Sequence, residues 1–236
     1  MTYRKVKPSQ ITAVTFTNQA AAQMRARLVC ALGKKSKVSK IQIGTFHAIS
    51  RELLLAAGRE VLIADEAQQR LAAQAVVQAF GLKMNVPEFL RKVSLKKSGH
   101  AVEDENGFEE ACRAYCRRLR EEGLMDFDDL LLKTLELLAD HPPVLESYRD
   151  RFHYVMVDEY QDTNYAQYML VKLLTDKSRN LCVVGDDDQS IYGWRGADIR
   201  NILDFEKDYP DAKVIKLEQN FRSTANILDA ADQMIA

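Results

Sequence analysis

The residues best suited to chemistry follow an apolar stretch in the second half of the chain. Asp158 and Glu159 come directly after the run 155–157. A buried strand that ends in two carboxylates places both at the carboxyl edge of a parallel sheet, where open α/β folds bind ligands. Two adjacent acids are costly there unless a cation compensates them. With a nucleoside triphosphate as ligand, Asp158 would hold Mg²⁺ and Glu159 would deprotonate the attacking water. The alternative is a helix N-terminus whose acids favour the helix dipole.

A second segment, Gly185 to Gly196, begins where another apolar run ends and contains the only tryptophan of the chain. Its glycines give the backbone freedom, and it displays Tyr192, Trp194 and Arg195. Such a loop is suited to stacking nucleic-acid bases, which contributes about 1–3 kcal/mol per base. The alternative is that Trp194 anchors the loop to the core.

Two shorter segments carry further candidate residues after predicted strands. Phe16, Thr17 and Asn18 follow the first strand, and Thr45 and His47 follow the second. Both groups stand at a helix start, where backbone N–H groups favour phosphate oxygens. His47 taken alone is more typical of a structural residue.

Arg222 stands just before a predicted helix that begins with Ser223. Its guanidinium fork could clamp a transferring phosphoryl group, or it could pair with one of the nearby acids.

The elements that position these residues alternate as short apolar strands and helices. Strands are predicted at 11–15, 41–45, 154–157, 181–184 and 214–217. Near-continuous apolar strands separated by helices indicate a parallel sheet covered on both faces. Ala64 to about Asp140 shows helices only, one of them starting at Asp126 as N-cap. We therefore expect one α/β domain, 1–60 plus 141–236, with a helical insertion at 61–140.

Composition limits the class of protein. The 236 residues carry 33 basic and 34 acidic side chains, 47% are hydrophobic and 28% charged, which excludes collagen-like and disordered chains. No apolar run approaches the roughly 18 residues of a membrane span, and no signal-peptide core is present, so we expect a cytoplasmic location. Cys112 and Cys116 have no His nearby in sequence and are expected to be reduced thiols rather than zinc ligands.

Together these segments resemble the UvrD/Rep-type superfamily 1 DNA helicases. The similar segments are Ala13–Arg27 ("AVTFTNKAAxEMxxR" in the family), Ile43–His47 ("GTFHA"), Met125–Leu132 ("DFDDLL"), Asp158–Asn164 ("DEYQDTN", the Walker B motif), Gly185–Ala197 ("GDDDQSIYGWRGA") and Leu217–Ser223 ("LEQNYRS"). The resemblance implies a RecA-like P-loop NTPase sheet, ATP and Mg²⁺ as cofactors, and single-stranded DNA, strand junctions and a second motor domain as partners.

The resemblance also implies a role for each candidate residue. On the nucleotide side, Asp158 coordinates Mg²⁺, Glu159 is the catalytic base, Gln189 senses the γ-phosphate with Gln161 in the relay, Arg222 contacts the γ-phosphate and Phe221 stacks near the adenine. On the DNA side, Phe16, Tyr192 and Trp194 stack on bases, while Thr17, Asn18, Thr45, His47 and Arg195 line the path of the strand.

The sequence departs from the family pattern in three ways. Gln19 replaces the usual Lys, and Phe221 replaces Tyr. No G-x-x-x-x-G-K-[ST] phosphate loop occurs, so the chain is expected to begin after that loop and to hydrolyse little ATP by itself. The strand leading into that loop lies, in P-loop folds, between the strands at 181–184 and 214–217. Without it, these two strands should close up, pair with another chain or be loosened.

Two alternative functions stay open at this point. One is a non-catalytic module, from a truncated helicase gene, that binds single-stranded DNA or a partner. The other is a metal-dependent nuclease that uses Asp186, Asp187 and Asp188, although consecutive acids on one loop do not easily converge on a metal pair.

Overall fold

Four parallel strands form the centre of the molecule in the order β2-β1-β3-β4, in a computed structural model that describes residues 6–104 and 107–235. The strands are β1 (Ile11–Thr15), β2 (Gln42–Thr45), β3 (Tyr154–Val157) and β4 (Leu181–Val183). This confirms the predicted α/β class with a parallel, RecA-like sheet.

Helices connect and flank the strands. They are α1 (Asn18–Leu32), α2 (Lys35–Val38), α3 (Phe46–Ala56), α4 (Glu66–Ala79), α5 (Val86–Lys97), α6 (Phe108–Glu121), α7 (Asp129–Asp140), α8 (Pro142–Arg151), α9 (Tyr165–Thr175), α10 (Arg200–Leu203), α11 (Phe205–Asp208) and α12 (Ala225–Ile235). Short 3₁₀ helices occur at Pro8–Gln10, Tyr160–Asp162, Asp187–Gln189 and Gly193–Arg195. In the part of the chain that the structure describes, no helix is long and apolar enough to cross a membrane.

The sheet core forms where buried strand residues meet the flanking helices. Val14, Val155 and Val157 pack in one hydrophobic cluster with Phe46 of α3 and Leu170 of α9. β1 lies between β2 and β3, and its last four residues are all buried. The apolar runs of β1 and β3 therefore reflect central strands that are covered by helices.

The helical region has a core of its own. Phe89 contacts Phe108 and Tyr115 edge-on, with ring centroids 5.7 and 5.9 Å apart. Cys112 and Leu119 complete the buried stripe of α6. Helix α7 contributes to the sheet core instead, through Leu131 and Leu138. The division at residues 60 and 140 stays a prediction.

Helix α7 begins at Asp129, and the prediction that Asp126 is its N-cap is wrong. Asp126 and Asp129 exchange hydrogen bonds, since each backbone N–H donates to the other's carboxylate, at 3.1 and 3.2 Å. Lys97 of α5 donates to both carboxylates, at 2.6 and 2.8 Å. This buried ionic cluster holds residues 126–128 in a turn ahead of the helix.

The predicted strand at 214–217 is also absent. Residues 213–220 have no regular secondary structure, and Val214, Ile215 and Leu217 are 60, 69 and 84% exposed. β4 is the last strand of the sheet, and within the described ranges no segment pairs with its outer edge. An apolar segment needs a neighbouring strand to form a strand itself. Residues 214–217 are therefore loosened, which is one of the three outcomes expected from the sequence.

Candidate functional site

Two carboxylates, Asp158 and Glu159, stand directly after the end of β3. The Asp158 N–H donates to the Val14 carbonyl at 2.9 Å, which fixes the acid pair at the carboxyl edge of the sheet. Glu159 adopts a left-handed backbone with φ 53°, a conformation that a residue other than Gly holds at a cost. Burial and the neighbouring Glu159 charge raise the pKa of Asp158. No basic side chain in the described ranges forms a salt bridge with either acid.

Gln161 joins the acid pair to the loop after β4. Its buried side chain donates from Nε2 to Glu159 Oε2 at 2.9 Å, and its Oε1 accepts the Asp186 N–H at 3.2 Å. Gly185 is required here, because a Cβ at that position would lie 2.6 Å from Gln161 Oε1. Gln189 Nε2 in turn donates to Asp186 Oδ2 at 2.5 Å. An unbroken hydrogen-bonded path therefore runs from the acid pair to the predicted sensor Gln189.

Two of the three predicted base-stacking residues, Phe16 and Trp194, line a cavity of about 380 Å³, which we call the aromatic cleft. Tyr192 does not line the cavity, but its ring contacts both of theirs. The Phe16 and Tyr192 ring centroids are 5.1 Å apart, and those of Tyr192 and Trp194 are 6.4 Å apart. The Arg195 guanidinium lies 4.6 Å from the Trp194 ring centroid. Trp194 is 61% exposed, so the alternative in which it anchors the loop to the core is wrong.

The aromatic cleft takes its walls from both the sheet edge and the helical region. Its lining includes Phe16, Thr45, His47, Arg91, Ser94, Leu95, Phe127, Asp128, Asp162, Asn164, Trp194 and Arg195. Asp158 and Glu159 do not line it, so the acid pair and the cleft are separate sites rather than one crevice. Gln161 connects Glu159 to Asp186, at the start of the loop that carries Trp194 further along the chain.

The two threonines predicted to line the strand path act as helix caps. The Thr17 hydroxyl accepts the Ala20 N–H at 3.1 Å, and the Thr45 hydroxyl accepts the Ala48 N–H at 3.2 Å. Thr45 also lines the aromatic cleft, whereas Thr17 and the exposed Asn18 lie outside its wall. Helices α1 and α3 thus begin at the same edge of the sheet.

His47 is neutral at pH 7 because burial lowers its pKa to about 4. Its ring stacks on Phe127, with centroids 3.9 Å apart and planes inclined by 20°. The buried Nε2 has no hydrogen-bond partner in the described part of the chain. This neutral ring supports Phe127, which is 52% exposed to the cleft.

Arg222 and Phe221 are not brought to the acid pair. Both are exposed, Phe221 to 86%, and they follow the unpaired segment 213–220. The nearest ordered feature is a turn in which Asn220 Oδ1 accepts the Arg222 N–H at 2.8 Å.

Four residues that line the cleft were not predicted as site residues from the sequence: Phe127, Asp128, Asp162 and Arg91. Phe127, Asp128 and Asp162 lie inside segments that carry the family resemblance, and Arg91 begins a basic stretch. Asp162 is buried with Oδ1 unpartnered within the described residues, and burial raises its pKa. Position within a resembling segment was the available signal for three of the four.

Comparison with known proteins accounts for this arrangement. The UvrD/REP helicase N-terminal domain family matches residues 1–210. The chain is 43% identical over 251 aligned residues to the ATP-dependent DNA helicase PcrA of Staphylococcus epidermidis strain ATCC 35984, covering 98% of this chain and 34% of that protein. It is 42% identical, with the same coverage, to the PcrA of Staphylococcus aureus strain Mu50. The chain thus spans about a third of the length of the curated relatives it matches. Because the family matches most of the chain, the chain belongs to the UvrD/REP helicase N-terminal domain family.

Proposed function

We propose that this chain is part of an ATP-dependent DNA helicase that couples ATP hydrolysis to movement along single-stranded DNA and to duplex unwinding. The observation that carries the proposal is that Gln161 connects the acid pair to the same loop that places Trp194 and Arg195 in the aromatic cleft. Single-stranded DNA, strand junctions and a second motor domain would be its partners.

On the nucleotide side, the donors fit Mg²⁺ bound together with a triphosphate. No cluster of three or more His, Cys, Asp or Glu that could hold a metal occurs among the described residues. Asp158 would therefore supply one carboxylate, and water and phosphate oxygens the other ligands, which is how Mg²⁺ commonly binds. When bound, the ion would neutralise charge on the triphosphate. Glu159, held by the Gln161 amide, would orient the attacking water.

The roles of Arg222 and Phe221 require a rearrangement. For Arg222 to contact a γ-phosphate and Phe221 to stack near an adenine, residues 213–224 must adopt a different path. A strand pairing along the outer edge of β4 would supply the missing neighbour and draw both residues towards the sheet edge.

On the DNA side, the rings of Phe16, Tyr192 and Trp194 would stack on successive bases. Arg195 would add a cation–π and phosphate contact. Removing one stacking ring should weaken binding about 5- to 150-fold, which corresponds to roughly 1–3 kcal/mol per base.

The affinity of single-stranded DNA for cleft variants tests the proposal. We expect Trp194→Ala and Phe16→Ala to lower the affinity of a fluorescein-labelled oligothymidylate, measured by anisotropy. Phe80→Ala is the matched control, because Phe80 is 38% exposed at the end of α4 and does not line the cleft. Equal affinities for wild type, both cleft variants and the control would overturn the assignment of the cleft.

A non-catalytic module that binds single-stranded DNA is the second candidate. The absence of a G-x-x-x-x-G-K-[ST] motif from the 236 residues and the exposed position of Arg222 favour it for this chain alone. We expect negligible phosphate release from Mg-ATP with or without oligothymidylate. Turnover stimulated by single-stranded DNA would contradict this candidate and favour the catalytic one.

A further inference from the structure

A second cavity, of about 510 Å³, opens between α5, α6 and α7 on the helical region. We call it the basic groove. Its apolar floor is Val93, Cys112, Cys116 and Leu132, and its polar lining is Lys96, Lys97, Arg113, Arg117, Arg120, Lys133, Asp129 and Glu136. Burial raises the pKa of the Cys112 thiol to about 12, so this part of the floor is uncharged at neutral pH.

Half of the cations in the lining have acidic partners. Lys97 is paired with the Asp126–Asp129 cluster and is part of the wall rather than a free charge. Lys96 and Arg113 share the single carboxylate of Glu109, at 2.7 and 3.2 Å. The charges of these residues are therefore largely used within the protein.

The other three cations have no such partner. Arg117, Arg120 and Lys133 form no salt bridge within residues 6–104 and 107–235. Arg117 and Arg120 are three residues apart on α6 and face the same cavity as Lys133 of α7. Of the two carboxylates in the lining, Asp129 is paired with Lys97, and Glu136 forms no salt bridge with these three cations among the described residues. Unpaired cations that line one concave surface favour an anion there. Paired guanidinium forks favour phosphate oxygens in particular.

We propose that the basic groove binds the phosphate groups of a nucleic-acid strand that continues from the aromatic cleft. Helix α5 separates the two sites, because Arg91 and Ser94 line the cleft whereas Lys96 and Lys97 line the groove. A helix with its side chains is about 10–12 Å across, a distance that a few nucleotides span. This proposal rests on the proposed function, because the strand is taken to enter through the aromatic cleft. A free polyphosphate would offer the groove the same phosphate oxygens.

Removal of the three unpaired charges tests the groove. The variant Arg117→Gln/Arg120→Gln/Lys133→Gln is compared with Lys34→Gln/Lys35→Gln/Lys37→Gln, a matched loss of three cations from the segment around α2. Anisotropy is measured over a range of salt with oligothymidylates of about 5 and about 20 nucleotides. For the longer one we expect the groove variant to lose about tenfold in affinity and about two from the slope of log K against log salt. The shorter one, which fills the cleft only, and the control should keep wild-type values. Wild-type affinity and slope in the groove variant would overturn the proposal.

Two further arms separate the sources of phosphate and the two proposals. The first arm is a calorimetric titration with inorganic tripolyphosphate. If the groove variant loses affinity for tripolyphosphate but keeps wild-type affinity for the longer oligonucleotide, the groove binds a free polyphosphate and the nucleic-acid source is overturned. If Trp194→Ala keeps wild-type affinity for the short oligonucleotide while the groove variant fails on the long one, the cleft assignment fails and the groove stands. The reverse pattern removes the groove and leaves the cleft.

Discussion

Gln161 is the residue on which the arrangement of the site depends most. Its amide can donate to Glu159 and accept from the Asp186 N–H at the same time. Neither a carboxylate nor an aliphatic side chain can make both bonds, because the first has no donor when ionised and the second has neither group. We therefore expect a displacement of Glu159 to displace Asp186 and, through it, Gln189.

Asp128, which lines the cleft, makes the stability of the fold depend on pH. Burial raises its pKa from 3.8 to about 6. Because the folded state holds the proton more tightly than the unfolded state, stability is lost as pH rises from about 4 to about 6. We expect Asp128→Asn to be more stable than wild type by about 1–3 kcal/mol above pH 6, with the difference vanishing below pH 4. Urea unfolding at pH 4, 5, 6 and 7 measures it; a constant difference across this range would contradict the assigned cause.

His47 contributes with the opposite sign over a similar range. Its pKa is lowered from 6.5 to about 4, so the unfolded state binds the extra proton and stability falls as pH drops from 6.5 to 4. The wild-type curve therefore contains both effects. Because Asp128→Asn retains His47, the difference between that variant and wild type isolates the Asp128 contribution.

Among the elements, the loop that carries Trp194 is seated on the end of α5. Gly196 has φ 90°, and a Cβ there would lie 2.8 Å from the Ser98 Cβ. Ser98 is itself held by the Asn164 amide, whose Nδ2 donates to its hydroxyl at 3.3 Å. The helical region thus sets the height of the aromatic loop over the sheet edge.

A methyl group at Gly196 should lift this loop. We expect Gly196→Ala to destabilise the fold by about 1–3 kcal/mol, from the left-handed backbone and the clash. It should also shift the emission of Trp194 and weaken the binding of oligothymidylate. Gly193→Ala is the control, because a Cβ at Gly193 would meet nothing within 4 Å. Unfolding curves, emission spectra and anisotropy are the measurements. Equal behaviour of the two variants would contradict the claim that Gly196 packs directly on Ser98.

The sequence predicted those elements whose signals are local. The apolar runs of β1 and β3 formed strands as expected. The run at 214–217 has an equally good local pattern, but a strand also needs a neighbour, and pairing is a non-local property. Asp126 looks like a cap in sequence, yet Lys97, 29 residues earlier, engages it.

The distinction between local and non-local signals also explains which parts of the site could be predicted from the sequence. The acid pair and the aromatic loop could be predicted because each follows its own strand. The stacking of Phe127 on His47 could not, since it joins the turn before α7 to the start of α3. The separation of the acids from the cleft also depends on packing, because sheet topology places both features at one edge without fixing which cavity each one lines.

At the scale of the whole molecule, the acid pair lies on the sheet edge, whereas the aromatic cleft is formed by the sheet edge and the helical region together. The sheet provides the acid pair and the starts of α1 and α3, and α5 closes the cleft from above with Arg91 and Ser94. The net charge is −1, so any affinity for DNA must come from local surfaces rather than from the overall charge. The cleft and the basic groove lie on opposite sides of α5 and are the two surfaces that we propose for this role.

The most direct test of this account is the emission of the single tryptophan, Trp194, during titration with oligothymidylate. Because that ring is 61% exposed in the cleft, base stacking should quench its emission saturably, with an affinity that falls as salt rises. Gly193→Ala should give the same titration as wild type. If oligothymidylate binds, as anisotropy would show, while Trp194 emission stays unchanged, the strand lies elsewhere and the central claim is wrong.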